Sequence, residues 1–347
     1  MSIILTKTQN IREKSNLDKD TLRASNYGAL DLFVSQNSSP TGLITPALIE
    51  KAKASIGSTL QTPVFNYREK VTIGNARTVT IADDENTTAM YTFNFVTCTY
   101  GFTQVPVAFQ NNEISAQADF DRKFMQFMVS LGDTLDTAAI ASLSAAKSQV
   151  LGDNLDYPFT ANVIQSTWAK RENLIGDLNP MMKSNDYYGK IHVLGNGGVE
   201  SLVNKMAQKS VYNEVNKTLE YNDKILHFSN RVTNESGKYG TGYAVEEGSL
   251  GFLTRFEREA VAGTQTPTHQ WDIINLPLLG IPCGTYYYYG VDDYHTIAGA
   301  ATADCDRVVK EHYGFAVDVC FVTPYNNAVS TNASPILKFN IGSEVAS

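Results

Sequence analysis

The chain has 347 residues, of which 43% are hydrophobic and only 18% charged, and it carries a net charge of −8. That is apolar material for two or three domain-sized units, with a charged fraction below the usual quarter. The acidic balance excludes tight, charge-driven nucleic-acid binding, which needs Lys and Arg against phosphates, and no apolar run approaches the roughly 18 residues of a membrane-crossing helix.

Low charge combined with 18 Tyr and 16 Phe implies a surface largely met by other protein. The four cysteines, Cys98, Cys283, Cys305 and Cys320, follow no zinc or redox spacing and read as reduced structural thiols in a cytoplasmic compartment. The N-terminal apolar run, MSIILTKTQNIREK, is too short for a signal-peptide core.

Residues Met1 to Pro40 are polar and weakly periodic, which predicts an arm with little core of its own. Thr45-Pro46 then opens a short helix through Ala54, with proline at the first helical position and Gly57 as its stop. From Thr62 to Val107 the chain turns to Val, Ile, Thr, Tyr and Phe, with Gly74-Asn75 and Asp83–Asn86 between the runs. This predicts one long antiparallel β excursion. A hairpin alone is marginal in water, so the excursion needs its own fold or a neighbouring subunit to lie on.

Asn112 to Leu151 organises the rest. Phe120, Phe124, Met128, Leu131, Leu135, Ala139, Leu143, Ala146 and Val150 recur in steps of three and four, the period of one helix face. Asn111 or Asn112 is the expected cap, Glu113 suits the positive end of the dipole, and Gly152 the stop. The result is a rod of roughly 57 Å. Its phenylalanine-rich first half, Phe120 to Phe127, can pin a sheet; its small second half, Ala138 to Ala146, allows close approach by another element.

Asn162 to Leu178 reads as a second amphipathic helix, broken by Asn179-Pro180. Lys190 to Leu194 is a short strand, and Gly195-Asn196-Gly197-Gly198 turns from it into a helix from Val199 to about Gln208. Lys224 to Asn230 is a strand. Gly237 to Gly263 reads as a glycine-rich turn and then a short helix near Ser249 to Ala260, with Arg255 and Arg258 beside Glu257 and Glu259 on a solvated face. Thr285 to Val291, Phe315 to Thr323 and Pro335 to Ile341 are late strands, giving an α+β class overall.

Three sets of residues could carry chemistry. Strand, glycine turn and helix at Gly195–Gly198 is the context of a phosphate-binding loop, with Glu220 some way beyond; yet Glu200 spoils the G-x-G-x-x-G pattern and there is no P-loop lysine. A tight strand-to-helix turn explains the same glycines. Thiol catalysis would pair a cysteine with one of His192, His227, His269, His295 and His312, but Cys98 and Cys320 sit in strand-like runs and read as small buried hydrophobes. Asp292-Asp293 with His295, and Asp304 with Asp306, could offer oxygen ligands to a hard metal; solvated loop acids fit them as well.

The order of parts has a relative. Arm, long β excursion, spine helix, second helix, proline-marked break, strand into a small helix, then returning strands: this resembles the major capsid proteins of tailed bacteriophages, the Hong Kong 97-type fold. The resemblance covers nearly the whole chain and rests on element order and length, with no short residue signature. It implies an N-terminal arm (1–61), an extended β-hairpin loop (62–108), a peripheral domain with the spine helix (109–185), an axial domain (186–284) and returning strands (285–347).

It further implies a non-catalytic subunit that self-assembles through pentamers and hexamers into an icosahedral or prolate shell around double-stranded DNA. Implied partners are a portal, scaffold or decoration proteins, and the packaged DNA by non-specific contact, with no membrane. Assembly would take place in the host cytoplasm and the product would be the virion capsid. No catalytic, cofactor-binding or metal residue carries over. Some members crosslink a lysine to an asparagine, and Lys70 lies in the excursion, but no motif assigns it that role. No scaffolding-type domain precedes the arm, so any scaffold would be a separate protein. The alternatives are an encapsulin-like cargo compartment, an α+β nucleotide-binding enzyme using Gly195–Gly198, and a phage tail or baseplate protein.

Overall fold

The computed structural model describes residues 27–37, 42–55, 59–65, 88–109, 115–147, 157–206, 211–213, 218–221, 224–255, 266–277, 279–293, 307–325 and 334–343. The first helix among the described residues, α1 (Gly28–Gln36), lies within the segment expected as an arm with little core of its own, and it is packed into the body. Ala29, Leu32 and Phe33 are completely buried, and Leu30 nearly so. The polar residues around the helix hide its short apolar stripe, because composition averaged over Met1 to Pro40 dilutes the six buried residues of this helix. Its end is held by Asn37, whose Nδ2 donates to the Phe252 carbonyl at 2.7 Å and whose Oδ1 accepts from Phe252 N at 2.9 Å.

Helix α2 (Pro46–Ala54) forms as expected, with Pro46 at the first position and Thr45 Oγ1 accepting from Leu48 N. Gly57, its predicted stop, lies outside the described residues. Strands β1 (Thr59–Phe65) and β2 (Thr88–Asn94) pair antiparallel from Thr59↔Asn94 to Phe65↔Thr88 and form a sheet of their own. The excursion is therefore narrower than Thr62 to Val107. After one residue, Phe95, the chain enters β3 (Val96–Gln104), which belongs to a different, five-stranded sheet.

The spine is α3 (Ala116–Ala146), 31 residues and about 46 Å long. It starts later than expected: Ser115, in extended conformation, caps it by accepting from Ala118 N at 3.2 Å, so neither Asn111 nor Asn112 is the cap. Val150 and Gly152 lie outside the described residues. The phenylalanine-rich half does pin a sheet. Phe127 stacks on Tyr100 (5.1 Å, 8°), Phe120 meets Phe102 at 5.5 Å, and Phe124 meets Phe315 at 5.1 Å. At the far end Ser334 Oγ donates to the Ala146 carbonyl at 2.7 Å, which brings the returning chain against the small-residue half.

The segment read as one helix from Asn162 is two structures. Strands β4 (Phe159–Thr160) and β5 (Val163–Ser166) are joined by Ala161 and Asn162, both at positive φ, a two-residue hairpin turn. Helix α4 (Arg171–Lys183) then runs through Asn179-Pro180 without breaking. A mid-helix proline costs about 3 kcal/mol. Burying Leu178, Met181 and Met182, at about 1.5–3 kcal/mol each, offsets that.

The remaining strands complete two sheets. The larger contains β6 (Ile191–Gly195), β7 (Val211–Asn213), β8 (Thr218–Tyr221), β9 (Lys224–Phe228), β10 (Lys238–Glu246) and β15 (Ile336–Gly342), in the order β4-β5-β15-β10-β6-β9-β8-β7. Helix α5 (Gly197–Met206) packs on it with α4, around Val199, Leu202, Leu174 and Ile175. The smaller sheet contains β11 (Gly251–Arg255), β12 (His269–Asn275), β13 (Pro282–Asp293) and β14 (Arg307–Val322), with β3 paired to β14.

Two expectations fail here. Residues from Lys238, just after a turn at Gly237, form strand β10, where glycines allow close backbone approach: a Cβ on Gly242 would lie 2.4 Å from the Phe339 ring. The helix expected near Ser249 to Ala260 begins instead as strand β11, paired from Gly251↔Val322 to Arg255↔Asp318; residues 256–260 lie outside the described residues. The three late strands fall where the alternation places them.

Candidate functional site

The glycine turn is a packing device. Asn196 Oδ1 accepts from Gly198 N (3.2 Å), Val199 N (3.4 Å) and Thr241 N (3.3 Å), so it fills the N-terminus of α5 with the chain's own side chain. Close packing accounts for two of the glycines as well. A Cβ on Gly198 would stand 2.1 Å from the Tyr239 carbonyl oxygen, and one on Gly195 would stand 2.6 Å from Val199 Cβ. The backbone of β10 passes directly against Gly198. Glu220 lies on β8, opposite Val211 and Ile225. The reading as a tight strand-to-helix turn accounts for these glycines.

The thiols are strand residues under cover. Burial pushes the Cys283 thiol up to about 12 and the Cys320 thiol up to about 11, and raises Cys98 as well. All three are thereby held protonated, the reverse of what a thiolate nucleophile needs. His192 and His227 are buried on the other sheet, stacked at 5.3 Å with Nδ1 of His192 3.0 Å from Nε2 of His227. Burial drives them down to about 4 and about 3 respectively, so both are neutral at pH 7. His312 Nδ1 lies 3.0 Å from Thr103 Oγ1, and His269 Nδ1 3.1 Å from Thr268 Oγ1. Asp292 and Asp293 end β13, opposite Val308 and Arg307. Cys305, His295, Asp304 and Asp306 lie outside the described residues.

The structurally distinctive sites are two anchors. The first seats α1 on the spine. Asp136, wholly buried on α3, accepts from Ala29 N (2.8 Å) and Leu30 N (3.0 Å) through Oδ1 and from Ser229 Oγ (2.5 Å) through Oδ2. Arg231 stands 3.7 Å from the same carboxylate, forms an ion pair with Asp133, and lies 5.1 Å over the Tyr27 ring. Two close approaches complete the seat. A Cβ on Gly28 would meet Phe228 O at 1.9 Å, and one on Gly132 would meet the Tyr27 ring at 2.3 Å. The sequence marks Asp136 only as a charge on the spine's polar side; its role as a cap depends on a contact 107 residues away.

The second anchor holds the root of the β1–β2 hairpin. Arg255 is the opposite of the solvated residue expected from its charged neighbours: it is 3% exposed. Its guanidinium lies 4.0 Å over the Phe95 ring, 3.7 Å from Asp318, and donates to Ser55 Oγ at 2.8 Å. Around it Ile44, Ala52, Leu60, Phe93, Leu253 and Val322 form a small core separate from that under the spine. The hairpin root, α2 and the end of β14 are thus fixed together, while Met90, out along the hairpin, is 55% exposed.

No protein-family model matches this sequence, and no curated protein matches it. Solved structures do. A structure from Mycobacterium phage Che8 aligns over 86% of this chain and 89% of its own at 8% identity, with a TM-score of 0.50. The capsid of the cyanophage P-SCSP1u aligns over 84% and 86% at 11% identity (TM-score 0.47). The SrpI encapsulin of Synechococcus elongatus PCC 7942 aligns over 86% and 88% at 8% identity (TM-score 0.44). The chain has the α+β, Hong Kong 97-type fold of phage major capsid proteins.

Proposed function

We propose that this chain is the major shell subunit of a tailed bacteriophage, self-assembling around a double-stranded DNA genome. The observation that carries the reading is the β1–β2 hairpin. It is a two-stranded sheet of its own, fixed at its root by the Arg255 anchor and with Met90 exposed further along it, on a scaffold with the capsid-type fold. A hairpin of this kind is marginal alone and is stabilised by lying on a neighbouring subunit. The weakly charged, aromatic-rich composition supports extensive protein–protein contact, and the acidic balance supports a container that holds DNA loosely.

In this reading the hairpin (within 62–108) reaches over the next subunit, the spine and smaller sheet form a peripheral domain, and the part of residues 186–284 that lies in the larger sheet contributes an axial domain meeting around five- and sixfold axes, with β11 and β12 going with the smaller sheet. Portal, scaffold and decoration proteins are its expected partners, the virion shell its place and the host cytoplasm its site of assembly. The role is non-catalytic. Limited proteolysis tests it: the hairpin should be cut in free subunits and protected in assembled ones. A free monomer whose hairpin is already protected would contradict the reading. Within the same fold, an encapsulin-like compartment would instead co-purify with protein cargo in place of DNA.

A further inference from the structure

The segment 229–237 links β9 to β10 and passes the end of β6, which lies between those two strands in the larger sheet. On the way Ser229 N donates to the Gly195 carbonyl at 3.1 Å. Its first half grips the spine. Ser229 Oγ donates to Asp136, Arg231 pairs with Asp133 and stands 3.7 Å from Asp136, and Val232, 3% exposed, enters the core beneath the spine. Its second half grips the larger sheet. Glu235 accepts from Lys338 Nζ at 2.7 Å and from Asn340 Nδ2 at 2.6 Å, both on β15. Asn340 is wholly buried, and its Oδ1 accepts from Thr241 Oγ1 of β10 at 2.9 Å. Asn234 accepts from Asn196 and donates to the Tyr239 carbonyl at 3.2 Å.

Burial alone does not account for this hold, because residues 233–237 are exposed. An exposed connection is ordinarily mobile and tolerant of change. Here the side chains alternate between two separate elements. The two halves have no partner in common among the described residues. The contacts also differ in kind from the core shared by the spine and the sheet, to which Leu194, Tyr243 and Val245 contribute. Apolar burial is non-directional, whereas hydrogen bonds to charged groups have preferred angles and short lengths.

We propose that residues 229–237 form a strap that holds the larger sheet at one angle to the spine, and that Arg231 and Glu235 are its two clasps. This rests on the shell reading, in which the angle within each subunit sets the curvature of the particle. A strap works in series: released at either end, it is released entirely. Two sites without a shared partner otherwise add in their effects.

The test uses full-length protein assembled into particles, with Arg231→Met, Glu235→Ala and the double variant. Each single change should broaden the distribution of particle diameters about twofold, because small shifts within a subunit are amplified in an assembly. The double variant should be no broader than the broader single one, while the losses in melting temperature of the free subunits add. Arg231→Lys keeps the charge and loses the guanidinium fork; it replaces Arg231→Met if that variant does not fold, with the same expectation. Diameters unchanged in the single variants, or broadening that adds in step with the melting temperatures, would overturn the strap and leave the shell standing. Failure of wild-type protein to form particles at all would overturn both.

Discussion

The Oδ1 oxygen of Asp136, deep on the spine helix, accepts the backbone N–H of Ala29 at 2.8 Å, and through it the N-terminal helix is seated under the body. A charge that looks like part of the spine's solvated face is therefore a helix cap supplied from another element. Replacing it by alanine removes the cap of α1 and leaves Ser229 and Arg231 facing an empty place. The expected loss is about 2–4 kcal/mol, with early proteolysis within 27–37. Asp136→Asn keeps an acceptor for Ala29 and Leu30 and should lose less.

Asp31 sits in the first turn of the same helix, and burial, with the nearby Asp136 carboxylate, pushes it up to about 6. Between pH about 4 and 6 the native state holds a proton that the unfolded chain has released. Stability from this group therefore falls as pH rises through that window. Asp31→Asn should remove that part of the pH dependence and raise the melting temperature at pH 7. Melting curves from pH 4 to 7 for the two proteins check the sign.

The stacked pair His192–His227 acts in the opposite direction. Both are held neutral, at about 4 and about 3, against an ordinary value near 6.5. As pH falls below 6.5 the unfolded chain takes up protons that the native pair refuses, so stability is lost progressively toward the native values. Urea unfolding at pH 7.5 and pH 5 should show a drop in wild type that a His192→Gln, His227→Gln double variant reduces. An unchanged drop would place the acid sensitivity elsewhere.

At the hairpin root, Arg255→Met strands the buried Asp318 carboxylate. A broken buried pair costs about 3–5 kcal/mol. Adding Asp318→Leu should recover much of it, a double-mutant coupling that a merely solvent-exposed pair would not give. Proteolysis within 59–65 and 88–94 should rise in the single variant and fall back in the double.

The glycine turn separates packing from ligand binding. Gly198→Ala forces a Cβ into the Tyr239 carbonyl and should destabilise markedly, whereas nothing lies within 4 Å of a Cβ on Gly197, so Gly197→Ala should be neutral or mildly stabilising. A dinucleotide should produce no thermal shift in wild type. A shift abolished by Gly197→Ala would reopen the nucleotide reading.

Much of this fold was legible as periodicity. The spine's three-four repeat, the alternation of Phe315 to Thr323, and Thr45-Pro46 as a helix start are local signals, and the structure follows them. What sequence reasoning missed is decided by long-range contact. α1 is a short stripe inside a polar segment, visible only once Asp136 and Phe252 are brought to it. Arg255 was read by its charged neighbours in sequence, whereas Phe95 and Asp318 define its surroundings. Pro180 looks like a break in sequence because its local cost is plain and the burial of Met181 and Met182 is not. The glycines of the turn were the one pattern that pointed both ways, and steric contact with Tyr239 decides between them.

The shell reading is tested most directly by negative-stain microscopy of the purified full-length protein. The account predicts closed particles of uniform curvature built from rings of five and six subunits. A population of compact monomers at concentrations where such shells form, with the hairpin already protected from protease, would contradict it.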